Sequence, residues 1–421
     1  MYPRPYLMKN KIQNYAWGTM GKNAFIPRLL GLDPQINKPY AELWMGAHPS
    51  APSDILIGRT WVPLNKLIDD FPHEILGTSM GAQGASTKFP FLLKVLSIAE
   101  PLSIQAHPNR VQAKILHGQD PINYPDENHK PEIAIALDSL TAFLGFKDYD
   151  QLVDTLEEYP ELKVLTQDQN PKDKTGTDSS VEKSEAILRA ICNSLIHISL
   201  QEGYLSSLIA RIEKRIEKSG ARNETEDIFL RLTNKYPGDV GLLFLFLLNL
   251  VQIQQGEAIF TSPGILHAYV NGNIVECMAT SDNVVRAGLT PKYKDLKTLA
   301  NIISYAPHNI HVSAHPIDPF ETVYDTVAEE FRISVIKLNK YRKIDSCPGN
   351  SPEILLITKG NIQIRWREKY QLKQQEFHQG NSILIPAFLN SYTIVAQTAS
   401  NIFKAKAPTP NRSGEFNIKL Q

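Results

Sequence analysis

The hydrophobic pattern of this chain changes period twice, and that change limits the folds open to it. Over roughly the first 150 residues, short apolar runs such as Phe91-Leu92-Leu93-Lys94-Val95-Leu96 and Ile133-Ala134-Ile135-Ala136-Leu137 sit between Pro, Gly and Asn turn signals. Runs of this length, bounded in this way, favour strands. After about residue 150 the spacing becomes helical. Glu182 to Leu200 carries Ile187, Leu188, Ile191, Leu195 and Ile196 at separations near three and four, and Tyr204 to Lys218 repeats the pattern with Leu205, Leu208, Ile209, Ile212 and Ile216. Such stripes are the buried faces of amphipathic helices. Beyond about residue 255 the strand pattern returns. Ile362, Ile364 and Trp366 alternate with polar residues beside Lys359-Gly360-Asn361, which predicts a hairpin across 353–367. The polar stretch 161–182 reads as a solvated loop. The expected fold class is mainly β with an α insert. Its expected divisions are a discontinuous β domain (1–150 and 251–320), a helical insert (151–250) and a second β domain (321–421).

Composition excludes several classes of function. A chain of 421 residues exceeds one ordinary core. Lys+Arg and Asp+Glu number 44 each, with no basic stripe, which argues against a nucleic-acid partner. Cys192, Cys277 and Cys347 are far apart and odd in number, as expected of reduced thiols. The first residues hold no apolar signal region, so a cytoplasmic location is expected. The most apolar run, Gly241 to Ile253, is too short for the ~20 residues that span a bilayer, so no membrane partner is expected.

An internal echo links the two β regions. Gly256 opens a short strand followed by Pro263, Gly264 and His267; Gly380 opens another followed by Pro386, Phe388 and Ser391. The first copy resembles the second sequence motif of cupin barrels, with its proline shifted by one. The second copy has Ser391 where the first has His267, so the C-terminal domain is expected to bind no metal.

Four residues could hold a metal. Gln105 and His107 stand at i and i+2, which places both on one face of an extended strand. Glu132 enters an apolar run, where a carboxylate must be paired or bound to a cation. His267 follows a glycine–proline turn. Each residue alone is equally compatible with a polar strand end or a satisfied core histidine. Together they offer mixed N/O ligation without thiolate, which suits one catalytic Zn²⁺. Downstream, Glu276, Asp282, Arg286 and Lys292 crowd into one segment. A solvated loop has this composition, but so does a site in which Arg and Lys bind phosphate or stabilise an enediolate. No GxGxxG or Walker-type loop is present.

These motifs converge on one family. The segments Asn14-Tyr15-Ala16-Trp17-Gly18, Ala41 to Pro49 (AELWMGAHP), Phe91 to Pro108, Asn128 to Leu137 and Gly264 to Asp295 occur in the order found in type I mannose-6-phosphate isomerases (phosphomannose isomerases), which the chain resembles over nearly its whole length. The resemblance implies two cupin-like (jelly-roll) β domains plus a helical domain, and a zinc site of Gln105, His107, Glu132 and His267. It implies Arg286 in the cleft, with Lys130, Tyr269, Glu276, Asp282 and Lys292 around the substrate, and Ser103 and Lys94 facing the sugar phosphate. The implied reaction interconverts mannose 6-phosphate and fructose 6-phosphate by proton transfer between C2 and C1 through an enediolate. The expected partner is therefore a small sugar phosphate, and the expected state a monomer. Lys130 and Glu276 both suit the general base, and Lys130 is favoured by its closeness to Glu132. An Fe²⁺ oxygenase or a sugar-binding cupin is the competing class. The fourth ligand, Gln105, and the Arg/Lys set favour sugar-phosphate chemistry over both.

Overall fold

The structure is a computed structural model that describes residues 1–77, 88–166, 179–201, 203–306, 308 and 312–408. The expected loop at 161–182 falls partly outside these residues; within them, 160–166 form a 3₁₀ turn and a helix begins at Ser180.

The apolar runs near the N-terminus are continuous because both of their faces are covered. Strands Phe91–Ile98, Glu132–Ala136 and Leu140–Phe146 are buried at every position. Leu93, Val95, Ile133 and Ile135 face one core, while Leu96, Ile98, Ala134 and Ala136 face another. These strands belong to an antiparallel sheet, ten-stranded among the described residues, organised by the long strand His267–Ala279. That strand pairs with four others: 91–98, 104–106, 132–136 and 140–146. It serves two sets of partners because its register breaks between Tyr269 and Asn271. Gly272 follows the break at φ +122, and a Cβ there would lie 2.7 Å from the carbonyl oxygen of Ser139. Only glycine fits so close an approach in that conformation.

The helical stretch is Tyr149–Glu158, Ser180–Ser199, Tyr204–Lys218 and Glu224–Lys235. Each N-cap among the first, second and fourth of these makes a capping box. The predicted stripes are their buried faces, except Ile196, which is half-buried. Gly241–Phe244 is a single helical turn, and Leu248–Ile253 is a strand. Among the described residues, no helix is long and apolar enough to cross a membrane. All three cysteines are free.

Among the described residues, the C-terminal region is a sandwich of a nine-stranded and a four-stranded sheet. The hairpin expected at 353–367 does not form. Glu353–Lys359 pairs with 382–385 and 400–406, whereas Asn361–Glu368 pairs with 371–378 and 392–396 in the other sheet. Gly360, at φ +83 and packed against Ala399 and Ser400, turns a corner between the sheets. Residues 355, 357, 362 and 364 then meet in one core. Strand alternation was legible; the partner of each strand was decided by that core. The nine-stranded sheet also takes strands Tyr6–Lys9, Asp54–Ile57 and Thr60–Pro63 from the N-terminal region.

The internal echo extends to strand register. Glu132 pairs with Thr261, five residues past Gly256, and Glu353 pairs with Ile385, five residues past Gly380. Lys94 lies between Trp44 and Glu276, as Ser334 lies between Val323 and Lys404. The C-terminal copy keeps buried charge at these places. Lys404 Nζ lies 2.6 Å from Glu321 Oε1, which also accepts a hydrogen bond from Ser334, and the Tyr392 hydroxyl donates to Glu353. Breaking a buried ion pair strands the remaining charge at a cost of about 3–5 kcal/mol. Lys404→Met is therefore expected to lower unfolding stability in urea by about that amount. Adding Glu321→Gln should restore much of it. A loss under about 1 kcal/mol for the single change, the worth of an exposed pair, would contradict the assignment.

Candidate metal centre and active cleft

Two backbone carbonyls set the chemistry of the buried cluster. His107 Nδ1 lies 2.8 Å from the Asn283 oxygen, and His267 Nδ1 lies 2.9 Å from the Ile265 oxygen. A carbonyl can only accept, so each Nδ1 carries the proton and each Nε2 presents a lone pair. Both lone pairs face Glu132. His267 Nε2 is 2.9 Å from its Oε1 and His107 Nε2 is 3.5 Å from its Oε2. All three side chains are at most 2% exposed. His107 Nε2 and Glu132 Oε1 have no hydrogen-bond partner of good geometry. Burial, reinforced by Lys130, brings the His107 pKa down to about 4, so the ring is neutral near pH 7. Burial opposes ionisation of Glu132, yet the Lys130 ammonium 3.8 Å from Oε2 favours the carboxylate, whose pKa lies well below the usual range. Acceptors thus converge on acceptors, with the ligand atoms of His107, Glu132 and His267 within 4.8 Å of one another. Such a set fits a divalent cation and is unfavourable without one.

Gln105 completes the row. It pairs with His267 on one side and Arg286 on the other. Its Nε2 lies 3.4 Å from His267 Nε2, and Ser103 Oγ donates to its Oε1 at 3.2 Å. A half-turn of the amide would present the oxygen to an ion. The chain continues from His107 through Pro108 into helix Arg110–Gln119, started by an Asn109–Gln112 capping box, which fixes the exit of this strand.

Register places a second cluster on the same sheet. Trp44, Lys94 and Glu276 are consecutive cross-strand neighbours. Lys94 Nζ lies 3.2 Å from Glu276 Oε2 and 3.4 Å from Glu42 Oε2, and 5.1 Å from the centre of the Trp44 ring. Burial disfavours its charge, but Glu42 and Glu276 outweigh that and hold Lys94 above the ordinary lysine range. Glu276 is pushed up to about 7, by burial first, against the pull of Lys94. Lys130 Nζ is 3.8 Å from Glu132 Oε2. Tyr269 is buried beside His267, with ring centres 6.0 Å apart, and burial raises its hydroxyl pKa.

A third group of charges lies beside Trp44 and Tyr15. Asp282 Oδ1 lies 3.3 Å from His48 Nε2, a contact that lowers the carboxyl pKa. His48 packs edge-on against Trp44. Among the described residues, Arg286 and Lys292 have no carboxylate partner within ion-pair distance. Lys292 Nζ lies 5.3 Å from the centre of the Tyr15 ring. Burial, then repulsion from Arg286, lowers its pKa. Two partly desolvated cations close enough to repel form a place for an anion.

The structure groups the twelve residues singled out from the sequence by contact: Gln105, His107, Glu132 and His267 with Ser103, Lys130 and Tyr269, Lys94 with Glu276, Arg286 near Lys292, and Asp282 against His48. Lys94 differs from expectation in its surroundings, being buried between two carboxylates. Tyr15, Glu42, Trp44, His48 and Asn283 were not singled out. Glu42 had a signal, a carboxylate inside a wholly buried strand Glu42–Met45; the others act through tertiary contacts.

Comparison with known proteins decides the family. Residues 6–149 match the family described as phosphomannose isomerase type I, catalytic domain. Over 382 residues the chain is 37% identical to the mannose-6-phosphate isomerase of Homo sapiens, covering 86% of this chain and 88% of that protein. The chain belongs to the type I phosphomannose isomerase family. Consistent with this membership, a variant of phosphomannose isomerase from Salmonella typhimurium shares its structure with a TM-score of 0.82 at 27% identity, over 96% of this chain and 99% of that one. A mannose 6-phosphate isomerase structure bound with zinc and yttrium matches with a TM-score of 0.81, also at 27% identity and over the same shares.

Asn283 offers a test of the metal centre in this member of the family. Its Nδ2 donates to the carbonyls of Asp126 and Asn128 while its own carbonyl orients His107. Loss of an outer partner of this kind weakens metal binding about 10–100-fold. Asn283→Ala keeps that carbonyl but removes the side-chain anchors that place it, so it should weaken zinc binding by up to about that much in a chelator competition titration, and unchanged affinity would show that the carbonyl is held in place by other means.

Proposed function

We propose that this protein is a zinc-dependent isomerase that interconverts D-mannose 6-phosphate and D-fructose 6-phosphate. The observation that carries this conclusion is the acceptor-only cluster at His107, Glu132 and His267 together with Arg286 and Lys292, which no carboxylate among the described residues pairs, in a chain of this family. His107, Glu132, His267 and the Gln105 amide oxygen would hold the ion. When bound, zinc supplies Lewis-acid polarisation of a substrate oxygen.

The remaining roles fall to the chain itself. The open-chain aldose loses its C2 proton to a base to give an enediolate, the hydroxyl proton passes from O2 to O1, and the base returns its proton to C1 as C2 becomes the carbonyl. What supports Glu276 as the base, ahead of Lys130, is its pKa near 7 within a buried pair with Lys94: a carboxylate there can both accept and return a proton. Lys130 is the second reading, favoured by its 3.8 Å approach to Glu132. Arg286, beside Gln105 in register, faces the developing oxyanion, and Lys292 takes the phosphate. Ser103 orients Gln105. Lys94 holds Glu276 in place, and Tyr269 shields the histidine from water. Asp282 with His48 meets the sugar hydroxyls. We further propose that residues 1–150 and 251–320 form the catalytic unit, 151–250 the helical insert and 321–421 a C-terminal unit without metal ligands. Its three free thiols support a cytoplasmic location, and we propose a monomer.

Dialysis against a chelator should abolish turnover in a coupled assay, and added zinc should restore it. Full turnover in a metal-free preparation would contradict the proposal. Arg286→Lys separates transition-state from ground-state roles. Lysine cannot reproduce the planar fork of donors. If Arg286 faces the oxyanion, kcat falls about 10²–10³-fold with little change in KM. A rise in KM at constant kcat would move Arg286 to the phosphate instead.

A further inference from the structure

The loop that carries Lys130 is held from two sides. On the inner side, Asp126 accepts hydrogen bonds from Ser281 Oγ and the Asp282 amide, and Asn283 Nδ2 reaches the Asn128 carbonyl. These contacts fix the backbone of the loop. On the outer side stands Glu330, which follows the strand Glu321–Tyr324 of the nine-stranded sheet. Its carboxylate Oε1 lies 2.6 Å from His129 Nε2 and 2.5 Å from a terminal nitrogen of Arg110. Glu330 is 9% exposed.

The positions of the two partners give this carboxylate its meaning. His129 immediately precedes Lys130. Arg110 opens the helix that begins three residues after His107. One buried carboxylate from the C-terminal region therefore ties together both chain segments that lead into the metal cluster and Lys130. The 2.6 Å contact places a proton on His129 Nε2, so the Arg110 Nε lying 3.2 Å away meets no free lone pair there. Arg110 and His129 are brought together by their shared acceptor and not by each other. Without Glu330 the His129 ring could carry its proton on Nδ1 and accept from Arg110 Nε instead, so the two side chains would settle differently and the outer tie on the loop would be lost. The neighbouring Glu329 also reaches Arg110, at 3.0 Å, but it is largely exposed, so it holds the guanidinium weakly.

We propose that Glu330 is a positioning residue for the isomerase reaction, acting from the C-terminal region through His129 and Arg110 on the placement of Lys130 and His107. This inference rests on the isomerase function proposed above. A displacement of about 1 Å at groups beside the reacting carbon and the ion, such as Lys130 and His107, can cost on the order of 10²-fold in rate whichever residue is the base. Glu330 touches neither the metal cluster nor the cleft, so the effect should fall on kcat and leave KM nearly constant.

The test uses the full-length zinc enzyme and compares wild type with Glu330→Ala, Glu330→Gln and Glu329→Gln. Steady-state kinetics, zinc content, thermal unfolding and the isotope effect on kcat with C2-deuterated mannose 6-phosphate are measured for each. Glu330→Ala is expected to lose at least about tenfold in kcat, with KM within about twofold, full zinc and a larger isotope effect. Glu330→Gln keeps an acceptor and should lose less; it also carries the test if the alanine variant fails to fold. Glu329→Gln should match wild type. Unchanged kcat and isotope effect at position 330 in an active enzyme overturn the inference and leave the isomerase function standing. So does a loss of kcat that only tracks lost zinc or lost folded protein, which would mark a purely structural contact. A wild-type enzyme without isomerase activity would instead overturn the function on which the inference rests.

Discussion

Two hydrogen bonds to backbone carbonyls govern the functional half of this molecule. By fixing protons on Nδ1 of His107 and His267, the carbonyls of Asn283 and Ile265 aim two unprotonated nitrogens at the carboxylate of Glu132. Neither carbonyl belongs to a ligand side chain. Both sit where the long strand His267–Ala279 enters the sheet or where the chain leaves it for Val285–Gly288. The strand order, the break near Tyr269 and the glycine at 272 all serve to bring these two carbonyls beside two histidines 160 residues apart in sequence.

Buried charge then propagates outward from that centre. Lys130 approaches Glu132, Lys94 is held by Glu42 and Glu276, and Glu330 gathers His129 and Arg110. Lys130 has its partner two residues away, whereas Lys94 and Glu330 are answered from distant parts of the chain. Arg286 and Lys292 break the rule, since no carboxylate among the described residues answers them. That exception marks where an anionic substrate is wanted. The C-terminal copy shows the contrast. There Lys404 and Glu321 answer each other inside a packed core, and the place of His267 is taken by Ser391.

What was legible in the sequence followed from local rules. The helical stripes depend on side-chain period alone, and the structure shows them as buried faces. The pattern near Gly360 was equally clear, but period says nothing about which strand will lie alongside. A strand covered on both faces can turn into another sheet as readily as back on itself. Glu42, His48 and Tyr15 were quiet for a related reason. Each reaches the cleft only because strand Glu42–Met45 lies against Phe91–Ile98, or because Lys292 lies across the Tyr15 ring. Glu330 lies in a loop of acidic residues that reads as solvated surface until its partners are seen.

The account stands on the claim that Nε2 of both histidines and the carboxylate of Glu132 share one ion. Anomalous diffraction at the zinc edge, on crystals of the zinc-loaded protein, tests this directly. The predicted result is a single peak in contact with Nε2 of His107, Nε2 of His267 and Glu132, with the Gln105 amide turned to present its oxygen. A peak bound through Nδ1 of either histidine, or one away from this cluster altogether, would contradict it.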